Sequence, residues 1–111
     1  MAGTVEEASD ANYTSFTDAP AAVVAYGLAT CEPCKAYDPI FEETAAKFPE
    51  VKFGKARMHV PGRCREIKKQ HRFETYPTTH FFSNGTLLFS REGKLEADEL
   101  AGLINDHLLK R

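Results

Sequence analysis

Apolar and polar positions recur with two different periods along this chain, which predicts alternating strands and helices. A short apolar run over residues 21–26 has the length and composition of a buried strand. After Cys34, apolar positions recur at i, i+3, i+4, i+7, i+8 and i+11, which is one face of a helix of about four turns. The members of this stripe are Tyr37, Ile40, Phe41, Thr44, Ala45 and Phe48. The opposite, polar face carries Lys35, Asp38, Glu42, Glu43 and Lys47.

Weaker patterns lie on either side of this strand and helix. We expect disorder over residues 1–4, a short edge strand over residues 5–8 and a short helix over residues 10–17. A β-branched, partly alternating segment over residues 51–60 predicts a further strand, closed by a Pro-Gly turn. A charged segment with one apolar stripe over residues 63–72 predicts a further helix.

The last third of the chain contains the clearest local signal. Residues 78–83 and 86–90 read as strands, and Asn84-Gly85 between them tolerates the positive φ of a two-residue hairpin. Gly93 ends the second strand. A final amphipathic helix is predicted from Leu100, Leu103, Ile104, His107 and Leu108. The resulting order, βαβαβαββα, implies one mixed sheet with helices on both faces.

Composition limits the size and the partners of this protein. With 111 residues, 42% apolar and 27% charged, the chain has the length of a single domain over residues 1–111. A net charge of −2 with both signs mixed creates no field for nucleic acid or an anionic membrane. No apolar run approaches the roughly 18 residues of a membrane span, and the N-terminus lacks an export signal. We therefore expect a cytoplasmic protein.

Two cysteines three positions apart stand where the predicted strand gives way to the predicted helix, in Cys31-Glu32-Pro33-Cys34-Lys35. The first would cap the helix, where unpaired N–H groups and the positive end of the helix dipole favour a thiolate over a thiol. Pro33 supports this start, because its fixed φ suits the first turn. Since the thiolate is the species that attacks disulfides, the pattern predicts a pair that opens and closes one disulfide.

The small number of cysteines bears on whether the pair is catalytic, structural or metal-binding. Three cysteines are too few for the disulfide framework of a secreted protein, and a CxxC pair in a reducing compartment indicates catalysis or metal binding more often than structure. A static disulfide is one alternative. A metal site that adds Cys64 and His59 to the pair is another. The pair lacks the second ligand pair of a closed zinc site, so we expect no metal.

Five landmarks, in this order, resemble the thioredoxin family over essentially the whole chain. They are Cys31-Glu32-Pro33-Cys34-Lys35, Pro39 in the following helix, Tyr76-Pro77-Thr78, Asn84-Gly85 and Gly93. The resemblance implies an α/β protein with the thioredoxin fold, a single mixed β-sheet of four to five strands flanked by helices on both faces. It also implies disulfide-containing protein substrates, and recharging by a thioredoxin reductase-like protein or another dithiol. We expect a monomer that needs no cofactor.

The same resemblance assigns roles to individual residues. Cys31 would attack a substrate disulfide and Cys34 would resolve the mixed disulfide. The Tyr76–Pro77 bond would be cis and would lie against the cysteine pair. The backbone of Tyr76 could then offer hydrogen bonds to an extended substrate segment, and Gly93 would belong to the same surface.

Several positions depart from what the resemblance implies. Ala25 stands where thioredoxins carry a buried acid, six residues before the first cysteine, so the usual proton acceptor for the resolving thiol is missing. Gly27 and Thr30 replace tryptophans, and Thr30 is the expected substrate contact beside Cys31. Glu32 replaces a glycine and adds a negative charge that opposes thiolate formation while it suits a helix N-terminus.

Basic residues could offset part of this change. Lys35 is expected to support the active site together with Glu32 and Pro33. Its side chain either lies near the thiolates or is a solvated lysine of the first turn. Lys55 is expected beneath the active site. Cys64 falls where some animal thioredoxins carry a cysteine associated with regulatory oxidation, whereas its own pattern favours a small, half-buried apolar side chain.

The function predicted from the sequence is a thiol–disulfide oxidoreductase that reduces protein disulfides through a mixed disulfide between Cys31 and its substrate. One alternative is a thioredoxin-fold adaptor or chaperone that binds partners at the Tyr76-Pro77 groove with weak turnover. Another is an oxidant that resembles protein disulfide isomerase, because Tyr-Pro-Thr is similar to the corresponding triplet of those domains.

Overall fold

The described part of the chain, residues 4–71 and 73–109 of a computed structural model, forms five strands and four helices in alternating order. The strands are β1 (Val5–Ala8), β2 (Ala22–Gly27), β3 (Lys52–Arg57), β4 (Thr78–Ser83) and β5 (Thr86–Glu92). The helices are α1 (Tyr13–Thr17), α2 (Glu32–Lys47), α3 (Arg65–Gln70) and α4 (Ala97–Ile104). A wider, π-type segment over Asn105–Leu109 continues α4.

The strands lie in one mixed sheet in the order β1, β3, β2, β4, β5. β3 is parallel to both β1 and β2, whereas β2 is antiparallel to β4 and β4 is antiparallel to β5. Asn84 and Gly85 turn the final hairpin with φ angles of 52° and 85°, the left-handed backbone that a two-residue turn requires. The predicted mixed sheet, with its parallel unit and its hairpin, is confirmed.

Helices cover both faces of the sheet, as predicted. α2 and α4 bury their apolar side chains against the face that carries Phe81. α1 and α3 do the same against the face that carries Phe82, since neighbouring residues of a strand point to opposite sides. All six residues of β2 are buried, which explains why this central strand reads as an unbroken apolar run.

The first helix is shorter than predicted. α1 begins at Tyr13 rather than at residue 10. The Asp10 carboxylate instead accepts hydrogen bonds from the backbone N–H groups of Glu66 at 2.9 Å and Ile67 at 3.0 Å. These donors lie in the first turn of α3, whose N–H groups lack partners within the helix. Asp10 therefore caps a helix more than 50 residues away in sequence.

Other boundaries shift by a few residues. β3 ends at Arg57 rather than at residue 60, because the chain turns there and the N–H of Val60 donates to the carbonyl of Arg57. α3 begins at Arg65 rather than at 63, so Cys64 precedes this helix instead of lying within it. Of the disorder predicted over residues 1–4, residues 1–3 lie outside the described chain, as do residue 72 and residues 110–111.

A buried hydrogen-bonded group connects α1 to the sheet. The hydroxyl groups of Tyr13 and Tyr26 lie 2.5 Å apart, and the Tyr13 hydroxyl lies 2.7 Å from Nε2 of His71. Burial raises the pKa of both tyrosines, that of Tyr13 to about 12. Both phenols are therefore neutral, and they hold the segment after α3 against the central strand.

The same group reaches the loop before β4 through stacked rings. The Phe73 ring stacks on that of His80 with centroids 5.7 Å apart and on that of Tyr76 with centroids 5.9 Å apart. The His71 and His80 rings lie 4.7 Å apart. Such aromatic contacts stabilise by roughly 0.5–1.5 kcal/mol beyond the apolar area that they bury. The Tyr76 ring is thus packed against this cluster.

Gly54 of β3 should not tolerate a side chain. A Cβ at this position would lie 2.6 Å from Cζ of Phe16 and 3.3 Å from Cβ of Ala8, and Phe16 is fully buried. We expect Gly54→Ala to lower the free energy of unfolding by about 1–3 kcal/mol. Urea unfolding of the oxidised protein measures this change.

Gly102 offers the matched control. It lies inside α4, and an added Cβ would meet nothing within 4 Å. Gly102→Ala should raise the free energy of unfolding by about 0.5–1 kcal/mol, because alanine is the better helix former. Equal effects of the two substitutions would contradict this view of the packing of α1 against β3.

His80 should make the fold sensitive to acid. Burial, and then the neighbouring His71, lower the pKa of His80 from 6.5 to about 4, and no described group bonds its Nδ1. The unfolded chain therefore takes up the proton first. The free energy of unfolding should therefore be unaffected by the titration of His80 above pH 6.5, and it should fall by up to about 3 kcal/mol as the pH falls toward 4.

The substitution His80→Phe, which keeps a flat ring against Phe73, should flatten this pH dependence of the free energy of unfolding. Burial also lowers the pKa of His71, so a smaller slope should remain. The exposed His107 provides the control, and His107→Gln should leave the slope as it is. A slope unchanged in His80→Phe would refute the assignment.

Candidate functional site

Cys31 stands at the N-terminus of α2, as predicted. β2 ends at Gly27, a loop of three residues follows, and Cys31 takes the extended backbone of an N-cap. Its Sγ accepts a hydrogen bond from the backbone N–H of Cys34 at 3.2 Å. Pro33 lies in the first turn, where no intrahelical donor is lost. Partial positive charge from the helix start is therefore directed at this sulfur.

The two cysteines of the motif are joined in a disulfide, with their Cα atoms 5.2 Å apart. They differ in access. Cys31 is half-buried, whereas Cys34, one turn into the helix, is only 5% exposed. A reagent arriving from solvent therefore meets the sulfur of Cys31, and the sulfur of Cys34 is shielded behind it.

The loop before β4 lies against Cys31. The Tyr76–Pro77 peptide bond is cis, as the resemblance implies. The backbone carbonyl oxygen of Tyr76 is 3.5 Å from Sγ of Cys31. Gly93, at a φ of 85°, donates its N–H to the carbonyl of Pro77 at 2.7 Å and so ties the end of β5 to this loop. The structure brings the cysteine pair, Tyr76, Pro77 and Gly93 to one edge of the sheet.

Behind the disulfide lies a recess of about 170 Å³, which we call the Cys34 pocket. It is lined by Ala25, Tyr26, Gly27, Leu28, Ala29, Cys34, Lys35, Tyr37, Asp38, Lys55, Arg57, His59 and Pro77. Gly27 allows the close approach of the helix, because a Cβ there would lie 3.2 Å from Sγ of Cys34. With only a methyl group at Ala25, β2 leaves the pocket open.

Two ion pairs flank the cysteines. Lys35 lies 3.1 Å from the carboxylate of Glu32, and both side chains are largely exposed. This pairing fits the solvated first-turn lysine better than a lysine beside the thiolates. Lys55 lies 2.6 Å from Oδ2 of Asp38, at the wall of the Cys34 pocket. Thr30 is exposed and directly precedes Cys31.

Asp38 lies on the polar face of α2 that the sequence predicts, but the pattern does not show its ion pair. Its side chain is 35% exposed and is held by Lys55. The missed signal is spacing, since a residue four positions after Cys34 lies on the same side of a helix. Arg57 and His59 also line the pocket, and nothing in their sequence pattern marks them.

Cys64 has a different environment from the cysteine pair. It is 2% exposed, and its Sγ donates a weak hydrogen bond to the carbonyl of Arg57 at 3.7 Å. Burial, followed by the carboxylates of Asp10 and Glu7, raises the pKa of this thiol. Reactive thiolate is therefore disfavoured at Cys64.

Among residues 4–71 and 73–109, no group of three or more His, Cys, Asp or Glu side chains is arranged to hold a metal ion. Within the same ranges, no helix has both the length and the apolar character needed to cross a membrane.

Comparison with known proteins agrees with this geometry. The family model described as thioredoxin matches residues 4–106. A thioredoxin from Chlamydia pneumoniae is 28% identical over 99 residues, 89% of this chain and 94% of that protein. One from Mycoplasmoides gallisepticum is 32% identical over 74 residues, 67% and 71% of the two chains. The crystal structure of Chlamydomonas reinhardtii thioredoxin f2 superposes with a TM-score of 0.83 at 22% identity, covering 96% and 99% of the two chains.

The fold shared with thioredoxin f2, the match to the family model and the disulfide at the start of α2 lead to one conclusion. This chain belongs to the thioredoxin family and is a thiol–disulfide oxidoreductase.

Proposed function

We propose that the protein reduces disulfides of other proteins, with Cys31 as the nucleophile and Cys34 as the resolving thiol. The observation that carries this assignment is the difference in access within the pair. Cys31 is half-buried at the helix start, and Cys34 is nearly inaccessible behind it. Only Sγ of Cys31 can reach a disulfide on a folded partner. Sγ of Cys34 is always within reach of the mixed disulfide that then forms at Cys31.

The proposed cycle begins with the reduced pair. The Cys31 thiolate attacks one sulfur of the substrate disulfide; a bond forms between them, and the other substrate sulfur leaves as a thiolate. Cys34 then loses its proton and attacks Sγ of Cys31. The Cys31–Cys34 bond forms, the mixed disulfide breaks, and the second substrate sulfur is released. Two electrons pass to the substrate, which takes up two protons.

The substrate segment would bind as an extended strand beside the cis-proline loop. The carbonyl of Tyr76 lies 3.5 Å from Sγ of Cys31, so a backbone N–H of the substrate that bonds to it would bring its cysteine to the nucleophile. Gly93 supports this loop from the side through its bond to Pro77. Thr30, which is exposed and directly precedes Cys31, would contact the substrate beside Cys31 without the bulk of an aromatic ring.

The rest of the site has supporting roles in this proposal. Pro33 and Glu32 shape the first turn of α2, and the ion pair of Glu32 with Lys35 offsets part of the negative charge beside Cys31. Lys55 holds Asp38 at the Cys34 pocket. Cys64 takes no part in the cycle, because it is buried and its thiolate is disfavoured.

The protein would act as a monomer without a cofactor, in the reducing cytoplasm, and a thioredoxin reductase-like protein or another dithiol would return its disulfide to the reduced form. Two electrons per cycle must be resupplied, and a dithiol donor supplies them by the same exchange chemistry.

Substitution of each cysteine tests the assignment through the reduction of insulin by dithiothreitol. Cys31→Ser should lower the rate to that of dithiothreitol alone, because no thiolate remains at the accessible position. Cys34→Ser should lower turnover, and after pre-reduction and removal of dithiothreitol it should trap a covalent complex with insulin, seen by non-reducing electrophoresis. Cys64→Ala should keep the wild-type rate.

An unaccelerated reaction with the wild-type protein would contradict the proposal. Partner capture that survives replacement of both Cys31 and Cys34 by serine would instead identify an adaptor that binds without redox turnover.

A further inference from the structure

The resolving step in this chain requires a group that accepts the proton of Cys34. Cys34 is 5% exposed, and a buried thiol must lose its proton before it can attack. The adjacent position on the central strand, Ala25, has only a methyl group. Cys34 lines the Cys34 pocket, so its proton acceptor should be among the other groups that line that pocket.

Asp38 is the carboxylate that lines the Cys34 pocket. It lies four residues after Cys34 on α2, and residues with this spacing have Cβ atoms roughly 5–6 Å apart on one helix face. Its ion pair with Lys55, at 2.6 Å, fixes the side chain toward the sheet. Lys55 is the residue paired with Ala25 across β2 and β3, so the carboxylate reaches from the helix toward the space that Ala25 leaves open.

We propose that Asp38 accepts the proton of Cys34 during resolution of the mixed disulfide. This inference rests on the proposed function. The S–H proton of Cys34 passes to the Asp38 carboxylate, and the new thiolate attacks Sγ of Cys31. The Cys31–Cys34 bond forms as the bond from Cys31 to the substrate breaks. The substrate leaves as a thiolate, and Asp38 then returns its proton to that thiolate or to water.

Other titratable groups near Asp38 are less suited to accept this proton. Lys35, Lys55 and Arg57 are cations with no free electron pair. The Tyr37 hydroxyl is bonded to Thr79 at 2.9 Å, and burial raises its pKa to about 12. Glu42, one turn farther along α2, borders a neighbouring surface recess rather than the Cys34 pocket.

His59 is the remaining rival, because a neutral imidazole can accept a proton and its side chain lines the same pocket. It is exposed and lies in the turn after β3, whereas Asp38 shares the helix of Cys34. We therefore favour Asp38, and a His59 variant belongs in the test.

The reaction of reduced protein with dithionitrobenzoic acid separates the two chemical steps. Attack by Cys31 releases one thionitrobenzoate, and attack by Cys34 on the resulting mixed disulfide releases a second. A Cys64→Ala background leaves only these two thiols. The rates of both releases are measured by stopped-flow absorbance between about pH 6 and 8, a range in which an ordinary aspartate is ionised.

Asp38→Asn should slow the second release on the order of 10²-fold near pH 7, within the range of general base catalysis. It should leave the first release nearly unchanged. The pH profile should also change. In the parent protein, the rate of the second release should be nearly independent of pH. In Asp38→Asn this rate should rise about tenfold per pH unit, because it then depends on the fraction of Cys34 present as thiolate.

Two further variants act as controls. Asp38→Glu keeps the carboxylate and should restore the flat profile. Glu43→Gln removes an exposed carboxylate from the same helix and should change neither release.

Three results would overturn the assignment. One is a rate of the second release in Asp38→Asn that lies within about threefold of the rate in the parent protein. Another is an equal slowing at every pH, which would mean that the ion pair with Lys55 acts structurally. The third is a loss of the second release in His59→Gln instead. By contrast, absence of the first release in the parent protein would contradict the proposed function itself.

Discussion

The position at which α2 begins is the constraint on which the site depends. Because the chain leaves β2 at Gly27 and caps the helix with Cys31, one sulfur faces solvent at the positive end of the helix and the other lies a turn inside. The N–H of Cys34 bonds to the outer sulfur. A thiolate at Cys31 would have this donor and the helix dipole to stabilise it, whereas one at Cys34 would have neither.

Other parts of the fold hold the backbone carbonyl of Tyr76 against Sγ of Cys31. Tyr76 is fixed by the ring of Phe73 behind it, and the cis-proline loop is tied to the end of β5 by Gly93. The cluster of tyrosines and histidines beneath joins this loop to α1 and the central strand. The rings that fill this part of the core therefore also position the carbonyl of Tyr76, which we propose binds the substrate.

Much of the fold could be predicted from local pattern. The all-buried β2, the amphipathic α2 and the Asn84-Gly85 hairpin each follow from periodicity and turn chemistry, which act over a few residues. The cap that Asp10 gives α3 and the ion pair of Asp38 with Lys55 could not be predicted in this way, because each contact joins residues distant in sequence. Cys64 likewise lies before α3 rather than within the predicted helix, and the distant Asp10 caps that helix where it begins.

If the Cys31–Cys34 pair donates electrons to protein disulfides, as we propose, the pair must have a low reduction potential. Equilibration of the pure protein with defined ratios of reduced and oxidised dithiothreitol, followed by quantitation of free thiol in the pair, gives the value. We expect a potential near −270 mV, typical of thioredoxin-like reductants. A potential of about −180 to −120 mV would contradict it, because such a pair would oxidise or isomerise disulfides instead.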